Sequence, residues 1–187
     1  MTGDSFDTVL AAARDGDEHA FAHLWRELNP KVLRYLRTLA PATASDLASE
    51  TWLQVIRSLA GFSGDEPAFR GWVFTIARNK VIDAQRRDRR RPQTRADDAV
   101  LDALASPDDT ALLAMENLTT ESALALIATL PRDQAEVCMV RVVAGLDVAT
   151  VAQIVGKSTG AVRVNAHRGL RRLQELVERA ATAGVTR

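Results

Sequence analysis

Apolar residues in the first half of the chain recur at intervals of three and four, the spacing of helices that bury one face. One run extends over residues 21–39, after the candidate N-cap Asp17, and contains Pro30, which we expect to bend or interrupt the helix. A further run covers about 45–61, and a third begins near Pro67 with Asp65 as a candidate cap. We predict three helices around one core that includes the three tryptophans Trp25, Trp52 and Trp72.

A second group of helical patterns occupies the C-terminal half. We predict helices at about 109–117, 121–129 and 132–144, followed by two helices that meet at Gly156, a candidate C-cap. Ser158 or Thr159 is placed to cap the last helix. Two helices joined by so short a glycine turn are typical of a helix-turn-helix. The residues predicted to face inward on the last helix are Val162, Ala166, Leu170 and Leu173.

Composition supports an all-α fold. The chain has 187 residues with only five Phe, one Tyr and three Trp, and most of its ten glycines fall between periodic stretches. We predict two small helical domains, at 1–91 and 109–187, joined by a flexible acidic linker at 92–108.

The formal net charge of zero conceals three charged blocks. Residues 78–95 carry eight basic and two acidic side chains, a net charge of +6. Residues 96–121 carry seven acidic and no basic side chains, and residues 157–172 carry five basic and no acidic ones. Basic helices of this density attract phosphates, so the pattern favours a nucleic-acid partner over an ordinary solvated surface.

Other classes of function find little support. Cys138, the single cysteine, lies in an apolar run, so we expect a small buried residue and a cytoplasmic protein. No signal peptide or membrane span is indicated, which predicts no membrane insertion. His19, His23 and Glu27 share a helical spacing of four but lack further ligands, so we expect no metal, no cofactor and no enzymatic activity.

The third helix combines aromatic, amide and basic side chains. The segment FRGWVFTIARNKVIDAQRRDRRR places Trp72 and Phe74 one to two turns before Arg78, Asn79 and Lys80. Unstacked bases bind planar side chains, hydrogen-bonding forks and positive charge, and this helix supplies all three. Spacing alone leaves Trp72 open to a place in the core or a role in stacking.

Four consecutive segments share a recognisable pattern: DGDEHAFAHLWRELNPKVLRYL, DLASETWLQVIRSL, FRGWVFTIARNKVIDAQRRDRRR and LPRDQAEVCMVRVVAGLDVATVAQIVGKSTGAVRVNAHRGLRRL. They resemble the extracytoplasmic-function (ECF) group of bacterial sigma-70 RNA polymerase sigma factors. The resemblance implies a sigma region 2 bundle at 1–91 and a sigma region 4 helix-turn-helix domain at 109–187. It also implies a protein that binds core RNA polymerase, recognises the minus-35 and minus-10 elements of promoter DNA and helps to melt the duplex.

The resemblance assigns residues to three surfaces. Polymerase docking falls to Asp46, Leu47, Glu50, Trp52, Leu53 and Gln54, although Trp52 could equally belong to the core. The minus-10 surface would comprise Arg70, Trp72, Arg78, Asn79, Lys80, Asp83, Arg86 and Arg87, with the loop at 61–66 beside a flipped-out base. The minus-35 surface would comprise Lys157, Ser158, Thr159, Arg163, Asn165, His167, Arg168 and Arg171.

Three positions depart from the family pattern: Ser49, Thr150 and Asn165. Asn165 stands where a basic residue is frequent, and because asparagine pairs with adenine, no family promoter sequence is transferred to this chain. The sequence ends at Arg187, so we expect regulation by a separate anti-sigma factor. The acidic segment would follow the path of RNA or serve as a solvated spacer.

Two other classes compete with this interpretation. One is a two-domain transcription regulator that binds DNA without polymerase. The other is a nucleic-acid enzyme, which would need a carboxylate cluster that the sequence does not reveal. The promoter sequence, the inducing signal and the placement of the two domains are left open.

Overall fold

The computed structural model describes residues 3–90 and 120–184. We call these the N-terminal unit and the C-terminal unit. The predicted linker at 92–108 and the predicted helix at 109–117 lie outside the described residues, so the domain boundaries stay a prediction. The described residues are helical and contain no strand, as predicted for an all-α protein. No described helix is long and apolar enough to cross a membrane.

The N-terminal unit is a bundle of four helices. Asp17 caps the second helix by accepting hydrogen bonds from the backbone N–H groups of His19 and Ala20, at 2.8 and 3.0 Å, and these bonds lower the pKa of its carboxyl group. Asp65 caps the fourth by accepting from Ala68 N at 2.8 Å. The helices are α1 (Gly3–Arg14), α2 (Glu18–Leu39), α3 (Ala44–Ser58) and α4 (Glu66–Arg90), with 3₁₀ turns at Pro41–Thr43 and Leu59–Gly61.

Two predictions for this unit were wrong in detail. Pro30 does not interrupt α2, because Leu28 and Val32 on either side of it are buried and hold the helix in place. The tryptophans do not all lie in the core, since Trp25 is 39% exposed. The helix α1 was not predicted at all. Its apolar side packs on α2 and α4, with the Phe6 ring 5.8 Å from that of Phe69.

The C-terminal unit contains α5 (Thr120–Ala128), α6 (Arg132–Cys138), α7 (Val148–Val155) and α8 (Thr159–Gly184). The helix predicted at 132–144 begins as expected. Its last part, Met139–Val143, is a π-helical turn in which Ala144 N donates to Met139 O at 3.2 Å.

The turn between α7 and α8 confirms the predicted helix-turn-helix. Gly156 adopts a left-handed conformation, with φ of 65°, and Ser158 Oγ accepts a hydrogen bond from Ala161 N at 3.1 Å as the cap of α8. Leu170, predicted to face inward, is 51% exposed. Gly169 is buried in its place, so close to α6 that a Cβ there would lie 2.6 Å from Cys138 Sγ.

The two units pack against each other. Helix α7 lies against α4, and α5 and α6 lie against α2. The two helices come close at Gly71, where a Cβ would lie 2.9 Å from Thr150 Cγ2. The helix-turn-helix is therefore held beside the basic helix α4.

Candidate nucleic-acid interfaces and an apolar groove

The exposed side of α8 carries most of the predicted minus-35 residues. Thr159, Arg163, His167 and Arg168 are exposed, as a helix that enters a DNA groove requires. Lys157 is paired with Asp133, with 2.8 Å between Nζ and Oδ2, and Arg171 is paired with Glu175 at 3.1 Å. Ser158 is used as the helix cap.

Asn165 differs from its neighbours on α8. Its side chain is half-buried, and the amide nitrogen donates to Ala161 O at 2.9 Å. Residues two apart on a helix differ by about 200°, so Asn165 and Arg163 lie on nearly opposite sides of α8. The arrangement does not bring Asn165 and Arg163 together on one surface.

One side of α4 presents a polar row to solvent. Asn79, Asp83, Arg86 and Arg87 are exposed along about two helical turns. The row continues toward α3, where Glu50 lies 3.4 Å from Lys80 and 3.9 Å from Arg87. Arg87 is exposed and Lys80 is half-buried, and at such partly solvated pairs a phosphate can replace Glu50.

The other side of α4 faces the C-terminal unit and holds two of the predicted minus-10 residues. Arg78 Nε donates to Glu136 Oε1 at 2.7 Å, and Nη2 donates to Val155 O at 3.0 Å, the last carbonyl of α7. Arg70 is half-buried beside Gly145. In this arrangement Arg70 and Arg78 do not share a surface with Asn79 and Arg86.

Glu136 also accepts a hydrogen bond from the Tyr35 hydroxyl at 3.2 Å. Its carboxylate is thus bound by one residue of α2 and one of α4. Burial raises the pKa of Tyr35 well above its ordinary value, and the neighbouring carboxylate adds to the increase. No pattern in the sequence predicts the contact between Tyr35 and Glu136.

The aromatic residues of α4 are packed. Phe62, from the loop before α4, stacks on Trp72 with 4.8 Å between ring centroids and 29° between planes. Phe69 contacts the same indole at 5.8 Å. Phe74 is fully buried against Tyr35. Stacking of a base on Phe74 is excluded, and Trp72 is half-buried in this cluster.

The predicted docking residues divide between core and surface. Leu47 and Trp52 are only 2% and 6% exposed, and Trp52 Nε1 donates to Asn29 Oδ1 at 2.9 Å, so most of both side chains packs within the bundle. Trp52 also lines the apolar groove described next, and the docking role of both residues stays a prediction. The predicted docking residues with accessible side chains are Asp46, Glu50, Leu53 and Gln54.

An apolar groove between α2 and α3 is lined by two of the predicted docking residues, Trp52 and Leu53. Trp25, Leu33 and Ile56 also line it, and its volume is about 510 Å³. Leu53 and Ile56 are 52% and 54% exposed. Exposed apolar side chains gathered in one place are typical of protein interaction sites. The apolar pattern predicted a place in the core for Trp25, and the groove was not predicted.

No group of three or more His, Cys, Asp or Glu residues with metal-binding geometry occurs in residues 3–90 and 120–184.

Two family models match the two units. Sigma-70 region 2 matches residues 24–91, and Sigma-70 region 4 matches residues 120–173.

Curated relatives extend this likeness over most of the chain. The ECF RNA polymerase sigma factor BldN of Streptomyces coelicolor is 34% identical over 174 residues, which cover 90% of this chain and 64% of BldN. The ECF RNA polymerase sigma factor SigD of Mycobacterium tuberculosis (strain ATCC 25618 / H37Rv) is 34% identical over 184 residues, covering 94% of this chain and 85% of SigD.

A solved structure shares the fold: the sigma factor RpoE in complex with the anti-sigma factor NepR from Bartonella quintana. It matches with a TM-score of 0.60 and 21% identity, over 84% of this chain and 96% of that one. With both units, their order and their length matched, the chain belongs to the ECF group of the sigma-70 family of RNA polymerase sigma factors.

Proposed function

We propose that this chain directs core RNA polymerase to a set of promoters by recognising their minus-35 and minus-10 elements and by aiding duplex melting. One observation carries the proposal: a single chain displays two separate exposed basic helices, α4 and α8, together with an uncovered apolar groove. Two DNA surfaces and a protein surface are what a promoter-specific initiation factor needs.

The α8 surface is the candidate for the minus-35 element. Thr159, Arg163 and His167 would meet base edges in the major groove, while Arg168 and the N-terminus of α8 would hold phosphates. Lys157 would exchange Asp133 for a phosphate. Arg171 and Ser158 would support the register of the helix, and Asn165 would act by shaping α8 rather than by direct base pairing.

The exposed row on α4 is the candidate for the minus-10 element. Asn79 and Asp83 can form hydrogen bonds with the edges of unstacked bases, and Lys80, Arg86 and Arg87 can bind the backbone. Capturing an unstacked base offsets an opening cost of a few kcal/mol. The loop before α4, through the Phe62–Trp72 stack, would border the base. Arg70 and Arg78 can join this surface only if the units separate.

The groove between α2 and α3 is the candidate docking site for core polymerase. Leu53 and Ile56 would supply apolar contact, and Asn29, Ser45 and Ser49 would add polar groups to the groove. Asp46, Glu50 and Gln54 would contribute from accessible positions on α3 outside the groove lining. The protein would act in the cytoplasm beside polymerase and DNA. An anti-sigma factor, the kind of partner named for RpoE, would control it.

Transcription in a purified system tests the proposal. The chain is mixed with core RNA polymerase and a library of genomic promoter fragments from the same host, and the transcripts are sequenced. We expect initiation from a set of promoters that share two elements and that core polymerase alone does not transcribe. Duplex binding without transcription would instead support a regulator that acts without polymerase, and DNA turnover that is lost on chelation would support an enzyme.

A further inference from the structure

The contact between Arg78 and Glu136 joins the two units through a buried carboxylate. The side chain of Glu136 is 8% exposed and that of Arg78 is 22% exposed. A buried carboxylate needs partners for its charge, and here both hydrogen bonds to Oε1 come from the N-terminal unit, one from Arg78 and one from Tyr35. The contact therefore depends on the two units being packed together.

Arg78 is bound at a second point of the C-terminal unit. Its Nη2 satisfies the carbonyl of Val155, at the negative end of the α7 dipole. The guanidinium thus bridges α6 and α7, and both of these bonds are lost when the units separate. Close packing of Gly71 on Thr150 lies on the same side of α4, one to two turns away.

The packed arrangement cannot span a promoter. The two element names place their centres about 25 base pairs apart, roughly 85 Å of B-DNA at ~3.4 Å per base pair. The candidate DNA residues on α4 and α8 all lie within about 16 residues of the Arg78–Val155 contact, so at ~1.5 Å per helical residue and ~3.6 Å per turn residue they are at most roughly 60 Å apart. Both elements are within reach only after the units separate.

We propose that Glu136 acts as a latch that holds the two units closed by occupying Arg78, and that this latch must open before the protein can recognise both promoter elements. In the closed form the Glu136 carboxylate occupies Arg78, a candidate minus-10 residue, in place of a DNA phosphate. The promoter part of this inference rests on the proposed function, whereas the closed and open forms themselves are properties of the isolated chain.

The distance between the units in the isolated protein tests the latch. Nitroxide labels are placed at Asp7→Cys on α1 and Gln153→Cys on α7, two exposed positions, and distances are measured by double electron–electron resonance. Cys138 is buried, and unsubstituted protein labelled in parallel measures any label that it takes up. The chain that bears only these two labels, which we call the carrier, is compared with two variants of it. Glu136→Gln keeps the size of the side chain but removes the charge, and Tyr35→Phe removes one hydrogen bond. Asp133→Asn is the matched control, because it removes a charge from α6 whose partner Lys157 lies within the same unit.

We expect a single short distance in the carrier and in Asp133→Asn. In Glu136→Gln a longer, broader population should appear, with the ratio of closed to open form lowered roughly tenfold, as loss of a charge-assisted hydrogen bond implies. Tyr35→Phe should lower the ratio of closed to open form by a smaller factor. If Glu136→Gln does not fold, the result for Tyr35→Phe tests the latch in its place. The proposal is overturned if the carrier is already open, if both variants keep the carrier's distances, or if Asp133→Asn opens the protein equally. No polymerase or promoter enters this measurement, so its failure is distinct from failure of the proposed function.

Discussion

Gly71 on α4 and Thr150 on α7 approach so closely that no side chain fits between them. A Cβ at residue 71 would lie 2.9 Å from Thr150 Cγ2. The threonine has little freedom to yield, because its Oγ1 donates to Asp147 Oδ2 at 2.7 Å and its branched side chain has few rotamers. Thr150, one of the three positions that depart from the family pattern, thus makes a packing contact between the two units.

Gly71→Ala should open the closed form. The added methyl group collides with Thr150, and overpacking of this kind costs about 1–3 kcal/mol, which favours separation of the units over distortion of either. The open population in the distance measurement should rise at least severalfold. Thr150→Ser removes the colliding methyl group and keeps the hydroxyl, so the double variant should return toward the closed form. A double variant as open as Gly71→Ala would contradict this explanation.

Gly169→Ala should destabilise the C-terminal unit by about 1–3 kcal/mol in urea unfolding. Its Cβ would lie 2.6 Å from Cys138 Sγ. Cys138→Ala in the same chain should restore part of the loss, since it removes the colliding sulfur. Gly160→Ala is the control: its nearest neighbour would be Ser158 Oγ at 3.9 Å, and alanine's helix propensity should leave stability unchanged or raise it by up to about 1 kcal/mol. Equal loss at both glycines would refute the packing argument.

The single tyrosine of the chain reports directly on the latch. Burial first, and then the Glu136 carboxylate, raise the pKa of Tyr35 well above its ordinary value of 10.0. Because the neutral ring is favoured in the folded state, its contribution to stability is complete below pH 10 and is lost as pH rises from there through the pKa of the folded protein.

Tyrosinate absorbance should therefore appear well above pH 10 in the natural chain. In Glu136→Gln it should appear at a lower pH, since a negative charge is removed and the open form exposes the ring. Asp133→Asn should leave the titration unchanged. Ionisation at the ordinary value in the natural chain would show that Tyr35 is not held as described.

Arg163→Ala should weaken binding to a minus-35 duplex by about 1–3 kcal/mol, the loss expected for a base or phosphate contact. Asn165→Ala should cost less than about 1 kcal/mol, because the asparagine amide is engaged with its own helix. Fluorescence anisotropy with a duplex from a promoter found in the transcription experiment measures both. Affinity for core polymerase should not change in either variant. Equal losses of DNA binding would place Asn165 back on the recognition surface.

Ile56→Asp should lower the affinity for core RNA polymerase roughly tenfold, because it places a charge in the centre of the apolar groove. The position is already half exposed, so the melting temperature should change little. Ala11→Asp, on the exposed side of α1, is the matched control and should bind normally. Unchanged affinity of Ile56→Asp would remove the groove from the docking surface.

Local features of the fold were predictable because their causes are local. The caps at Asp17 and Asp65, the left-handed Gly156 and the order of the helices each follow from residues within one or two turns. The signal for α1 was present too, since Phe6, Val9, Leu10 and Ala13 recur at intervals of three and four. The exact inward side of α8 was missed because a glycine, not Leu170, lies at the closest approach to α6.

The functional surfaces were harder to predict because they depend on contacts between distant residues. An apolar pattern marks Ile56 and Trp25 as helical, yet it does not say whether a neighbour covers them. Likewise Arg70 and Arg78 share a helix with Asn79 and Arg86, and only packing against the C-terminal unit separates them. Asn165, which departs from the family pattern, was predicted to contact bases directly. Its hydrogen bond to Ala161 O instead favours a role in shaping α8.

The hydrogen bond between Tyr35 and Glu136 joins residues 101 positions apart in the chain. A ribosome that adds 5–20 residues each second needs about 5–20 s to travel that distance. During this interval α2 is complete but Glu136 in α6 has not yet been synthesised, so each new molecule starts without the latch. Polymerase that meets the nascent chain in that time encounters the N-terminal unit with Arg78 uncovered. Packing of the two units then competes with binding to polymerase, and the rate of translation sets how long the N-terminal unit stays uncovered.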